Sequence, residues 1–389
     1  MARPLPRTVV VLGVTSLLND AASEMIAPLL PLFLTAALGA GPAIVGLVEG
    51  LAEATASVLK LLSGRLADRG VPAKSLVVGG YGLANAARPL MGLAAGWGAI
   101  LALRFLDRVG KGLRTAPRDA LIAEAAAPQE RGRAFGFHRS MDHAGAVIGP
   151  LAAFALLAAH IDLRHVFYAS AIPGLLVLLM VLFGLPRGAH PKVPPRAPFA
   201  WSALDGRLRG MIVAAGLLAL ASVPEAFVVL WARQAGMALQ WVPLVWAAAS
   251  LAKMSVAMPA GMLSDRLGRV PLLVGGWVAR VAVLLGLASV QAEGLSVWLL
   301  FVAYGVTLAV TEPAERSLIG DHAPAAVRGT AYGLYHLASG LLVLPGALLF
   351  GVLWERWGSS HAFGAAAAVT AAAAALMLLA TRVPQRRAA

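Results

Sequence analysis

Four carboxylates sit inside long apolar runs: Asp20 and Glu24, then Glu49 and Glu53, each pair four residues apart. On a helix that spacing places both members on one face. Carboxylates crowded together in an apolar medium resist ionisation, which suits a group that must load and release protons near neutral pH. A cationic stripe follows. Arg104, Arg108, Lys111, Thr115 and Arg118 share one helical face, with Asp107 and Arg114 beside it. The planar fork of arginine binds carboxylate or phosphate bidentately, so Arg88 and Arg104 are candidates for holding an anionic solute. The neighbours Asp142 and His143 offer a proton relay or a metal ligand. The second half of the chain is sparser, with Glu225, Lys253, Arg280, Glu312, Glu315, Arg316 and His336. A bland alternative is that the acids near residues 20–53 neutralise the cationic stripe in a rigid buried network. In the functional alternative several of these groups face a water-filled cavity, with Asp20 or Glu24 as the coupling site and Arg108 biasing its protonation.

The elements that carry these charges must cross lipid. The 389 residues are 59% hydrophobic and 13% charged, with a mean hydropathy of +0.77, against roughly 25% charged in an ordinary soluble domain. Twelve mostly apolar segments are long enough to span, near 8–38, 43–63, 74–95, 97–121, 134–158, 165–185, 209–233, 239–261, 270–292, 296–319, 331–353 and 361–382. None alternates with period two, so the segments are helices rather than barrel strands. A charge at mid-membrane costs about 2.5–3.5 kcal/mol on insertion scales, which is why each one above calls for a partner or a task. The first run is too long for a signal peptide and holds Asn19, Asp20 and Glu24 in its middle.

Lys and Arg set the orientation. Arg3/Arg7, Arg65/Arg69/Lys74, Arg131/Arg133, Arg187 to Arg209, Arg266/Arg269, Arg328 and Arg382/Arg386/Arg387 fall at every second connection. The positive-inside rule places those connections and both termini in the cytoplasm. The net charge of +13 therefore reads as topology, not as nucleic-acid binding. Cysteine is absent, which excludes thiolate metal sites and disulfides. Gly110-Lys111-Gly112 lacks the spacing and the Ser or Thr of a phosphate loop, so the energy source is an ion gradient. No enzyme activity, cofactor or resident metal is expected.

The chain is duplicated. Gly64, Asp68, Arg69 and Gly70 return as Gly261, Asp265, Arg266 and Gly268, with Arg269 following. Arg131-Gly132 returns as Arg328-Gly329, and 265 − 68 and 328 − 131 both give 197. A fixed displacement of this kind marks internal repetition. The Pro-rich, basic stretch between segments six and seven reads as a stiff linker. The expected organisation is a six-helix bundle over 1–185, a cytoplasmic linker over 186–208, and a second six-helix bundle over 209–389. That is an all-α integral membrane fold of two parallel repeats.

With its doubled loop motif, roughly G-x-x-x-D-R-x-G-R/K, and its twelve spans, the sequence resembles the major facilitator superfamily along its whole length. Two further motifs carry the resemblance. Arg108-Val109-Gly110-Lys111-Gly112 is similar to the R-x-x-Q-G motif of proton-coupled members, with Lys in place of Gln. Gly136, Gly145 and Gly149-Pro150 match the G-x8-G-x3-G-P spacing of the antiporter motif, although Ala153-Phe154 stand where that motif ends in a Gly pair. The resemblance implies a secondary transporter of the bacterial cytoplasmic membrane, and in such relatives the glycine motif marks export of drugs or metabolites against protons. It also implies that Asp68 pairs with basic residues of a neighbouring helix in one gate state. The turns read as gating elements, with Asp68 alternatively capping the third segment. The expected partners are a small-molecule substrate, protons and the bilayer, with no nucleic acid, and the protein is expected to be a monomer. The rival readings are a proton symporter importing an anionic metabolite, an exporter of a divalent metal or metal chelate, and a non-transporting receptor or scaffold.

Overall fold

The computed structural model describes residues 5–68, 71–127, 131–185, 206–289, 293–322 and 328–382. Among these, every regular element is a helix. In chain order they are α1 (Arg7–Ile26), α2 (Leu30–Leu32), α3 (Pro42–Asp68), α4 (Ala73–Leu90), α5 (Trp97–Ala125), α6 (Arg131–Ala158), α7 (Leu163–Ala169), α8 (Ala171–Gly184), α9 (Gly206–Leu220), α10 (Glu225–Gln234), α11 (Val242–Leu267), α12 (Arg269–Ser289), α13 (Leu295–His322), α14 (Arg328–Trp357) and α15 (Ser359–Arg382). Each of the twelve expected segments has its helix or helix pair. Ten described runs are long and apolar enough to cross a membrane. The other two segments are α4 and α5, whose polar residues turn inward.

Sequence chemistry sets the breaks. Pro28 and Pro31 follow α1, and the chain passes through α2 into a π-helical turn, Phe33–Ala37. Ser222-Val223-Pro224 separates α9 from α10, because proline at the N-cap cannot continue the preceding helix. The freed carbonyl of Val223 accepts a hydrogen bond from Tyr304 Oη at 2.5 Å, as a broken helix in lipid requires. Asp162 caps α7, accepting from the Arg164 N–H at 2.8 Å.

The helices group into two compact units. The first comprises α1, α2, α3 from Thr55 onward, α4–α8 and Ala238–Ala247. Its core includes Val9, Leu12, Val77, Tyr81, Ile122 and Val181. The second comprises Gly41–Ala54, α9, α10 and the chain from Ala248 onward. Its core includes Met211, Ile212, Leu273, Trp277, Leu318 and Met377. Two stretches, Gly41–Ala54 and Ala238–Ala247, group apart from the residues that flank them in the chain. The grouping of the first has a local cause within the second unit. A Cβ on Gly50 would lie 2.9 Å from the Leu344 Cα, and one on Gly46 would meet the Ala347 carbonyl, so α3 and α14 touch backbone to backbone there. The 186–208 linker lies almost wholly outside the described residues.

The repeated motif is less of a turn than its sequence implies. α3 runs on to Asp68 and α11 to Leu267, so most of each motif is the last turns of a helix. Only Gly268 breaks the second copy. Its φ of +92° is left-handed and suits glycine at a helix C-terminus. The Asp68 side chain, expected to cap the third segment or to pair at the gate, lies outside the described residues. The N-cap of α4 is Pro72, with no side-chain hydrogen bond.

Candidate functional site

In the first unit the buried charges converge on Asp107, on α5. Arg88 Nε of α4 donates to Asp107 Oδ1 at 2.9 Å. Arg104 and Arg108 lie 3.5 and 3.6 Å from Oδ2. Asp107 is 1% exposed, Arg88 2% and Arg104 4%. Arg88 Nη1 also donates to the Asn19 carbonyl at 3.1 Å, to Asn19 Oδ1 at 3.0 Å and to Asn85 Oδ1 at 3.0 Å. Asn85 in turn donates to Asn19 Oδ1 at 3.3 Å. The spacing of Asn85 and Arg88 puts both on one face of α4, which is how a side-chain network ties α1, α4 and α5 together.

On α5, Arg104 and Arg108 meet an acid of α5 itself, while Lys111 and Arg114 act on Asp20 of the first segment. Arg88, proposed to grip an anionic solute, has its Nε and Nη1 donors engaged inside the network, and Arg108 faces Asp107. Further along the stripe, Arg114 stacks over the Tyr81 ring at 4.6 Å, and Arg118 pairs with Asp119 at 2.8 Å.

A second cluster lies where α6 meets α1. Asp142 accepts from Ser16 Oγ, and Oδ2 lies 3.4 Å from Arg139 and 3.6 Å from His138 Nδ1. Beside Asp142 the structure thus places His138, one turn earlier on α6. Asp20 is half-buried and accepts from Asn19 Nδ2 at 3.0 Å. The charges acting on it are Asp142, Arg114 and Lys111. The glycine motif explains the closeness. A Cβ on Gly145 would lie 2.9 Å from Asp20 Cβ and would strike the Leu17 carbonyl, and one on Gly149 would strike the Ala21 carbonyl. Pro150 follows within α6. Gly136 differs, with nothing within 4 Å of its Cβ position. Glu24, one turn beyond Asp20, accepts from Trp246 Nε1 at 2.9 Å, also within the first unit. Glu49 and Glu53 are half-buried and lie on the part of α3 that groups with the second unit.

The second unit carries its own polar groups. Lys253 donates to Glu225 at 2.8 and 3.1 Å, and Glu225 opens α10 directly after the break. A cavity is lined by Ser222, Arg280, Thr311, Glu312, Glu315 and Tyr335, among others. Sequence reasoning noted Arg280 and Glu315 but assigned them no site; it passed over Ser16 and Asn85 and used Asn19 only against a signal peptide. The signal for the asparagines was present: each sits in a spanning segment one or three residues from a charge.

The gating motifs are only partly visible. Arg69 and Gly70 lie outside the described residues, as do the side chains of Asp68 and Asp265, while Gly64 lies within α3. In the second copy Gly261 lies within α11, and Arg266 is in its last turn, where a cation suits the helix dipole. Arg269 donates to Ser264 Oγ at 3.2 Å. Among the described residues no group of three His, Cys, Asp or Glu is arranged to hold a metal ion.

Apolar helices with interior ion pairs define a polytopic membrane protein whose buried charge is arranged around specific partners. The family model described as Major Facilitator Superfamily matches residues 12–341 and 234–389. An MFS-type transporter of Methanocaldococcus jannaschii is 32% identical over 362 residues, covering 91% of this chain and 90% of the relative. The multidrug resistance protein MdtH of Aeromonas hydrophila is 26% identical over 363 residues, covering 89% of this chain and 90% of the relative. Among solved structures, the nucleoside transporter NupG superposes with a TM-score of 0.79 at 13% identity, covering 96% of this chain and 99% of that one. A bacterial homologue of the human lysosomal transporter Spinster gives 0.77 at 16% identity, with 96% of both chains covered. The chain belongs to the major facilitator superfamily and is a multi-pass membrane secondary transporter.

Proposed function

We propose that the protein exports small molecules across the bacterial cytoplasmic membrane in exchange for protons, by alternating access of its two halves. The observation that carries this reading is the carboxylate pair on α1 and α6. Asp20 and Asp142 act on one another inside the first unit, at a helix contact drawn tight by Gly145 and Gly149. Two acids close together in a low-dielectric site suit the loading and release of a proton. Asp20 is the half-buried member and takes the coupling role, while Asp142 is tied to Ser16 and faces His138. The name of the multidrug resistance relative supports export. The six-plus-six division, cytoplasmic termini and the gating role of the repeated motifs belong to the same proposal.

Reconstituted transport tests it. An imposed pH gradient should drive export of substrate from proteoliposomes holding the wild-type protein. Asp20→Asn should lose gradient-driven transport by at least tenfold while retaining passive exchange. Full gradient-driven transport by Asp20→Asn would exclude Asp20 as the coupling group.

A further inference from the structure

The coupling reading leaves a cavity of about 240 Å³ in the second unit without a task. Three ionic groups line it, Arg280 on α12 and Glu312 and Glu315 on α13. Arg280 is 5% exposed. Its Nη2 donates to Thr311 Oγ1 at 2.8 Å and to the Thr307 carbonyl at 3.3 Å, but its buried Nε has no partner. A buried N–H without an acceptor calls for one from water or from a ligand. Glu315 accepts from Trp277 Nε1 at 3.2 Å and from Tyr335 Oη at 3.0 Å. Both donors are neutral, and a carboxylate offers about four lone-pair sites, so Glu315 keeps acceptor capacity for an ammonium. The lining also includes the apolar Leu218, Leu308 and Val343.

We propose that this cavity binds a small zwitterion, a solute with a carboxylate and an amine on one short, partly apolar skeleton. Its carboxylate meets Arg280 Nε and its ammonium meets Glu315, while the skeleton lies against the leucines and the valine. A simple cation leaves the arginine donor unmatched, and a simple anion leaves the carboxylate unmatched. The volume falls below the roughly 300–1,000 Å³ typical of drug-sized sites, which limits the solute to a small one. The inference rests on the transporter reading in naming the class of substrate that this reading lacks.

Three probes with one skeleton test it on the purified full-length protein: L-phenylalanine as the zwitterion, phenethylamine as the cation and 3-phenylpropanoate as the anion. Equilibrium dialysis should show phenylalanine binding about tenfold tighter than either single-charge probe. Glu315→Gln should weaken phenylalanine and phenethylamine and leave 3-phenylpropanoate unchanged. Arg280 anchors two helices, so its variants risk misfolding. Ser339→Phe, which fills the cavity without touching either charge, should abolish phenylalanine binding. Equal or tighter binding of a single-charge probe would overturn the proposal, as would no binding of any probe or wild-type binding by Ser339→Phe. Asp20→Asn separates the two readings, because it should bind phenylalanine normally. Binding without gradient-driven transport in the wild type sinks the coupling reading alone, whereas gradient-driven export of another solute without phenylalanine binding sinks this inference alone.

Discussion

Asp107 has three arginines about it and almost no water. Removing one partner from such a group leaves uncompensated buried charge, which costs about 3–5 kcal/mol. Asp107→Asn should therefore destabilise the protein by that order, read as a fall in the thermal unfolding midpoint in detergent. Asp20→Asn should leave the midpoint close to wild type, because Asp20 is half-buried and its one described hydrogen bond comes from Asn19. The contrast separates a structural acid from a working one. In the sequence the two residues look alike, each an aspartate in an apolar run. Their environments differ because Asp107 meets Arg88 from a different helix, and nothing in the spacing along either helix specifies that meeting.

At the scale of elements, the contact between α1 and α6 is the most constrained surface near the proposed coupling pair. Gly145 and Gly149 bring the backbones together, as small residues do in helix pairs within lipid. Gly145→Leu should force the helices apart, costing about 1–3 kcal/mol in stability by overpacking and abolishing transport. Gly136→Ala should leave transport and the unfolding midpoint unchanged, because its Cβ position is open. Transport measured for both variants in the same vesicles checks the pair. The glycine spacing was legible in the sequence, but the different duties of its members were not. A motif gives register along one helix, and the partner helix decides which glycines are pressed against it.

At the scale of the molecule, the absence of native cysteine makes topology directly measurable. A single cysteine replacing Leu5 should react with a membrane-impermeant maleimide only in inside-out vesicles. One replacing Ala238, in an alternate connection, should react only in right-side-out vesicles. Labelling of both from the same side would reject the proposed orientation.

Composition, segment length and the 197-residue displacement determined by themselves that this is a duplicated, all-helical membrane protein. Those features reflect the solvent and the gene, and both act on the chain locally. The family likewise followed from short motifs that survive in sequence. Tertiary structure alone decided which buried charges pair. It turned Arg88 from a solute hook into a strut between α1, α4 and α5. It set His138 beside Asp142, and it brought Arg280 and Glu315 to one cavity from separate helices. Long-range pairing depends on how helices dock, and docking is set by side-chain fit across a contact whose two faces lie far apart in the chain.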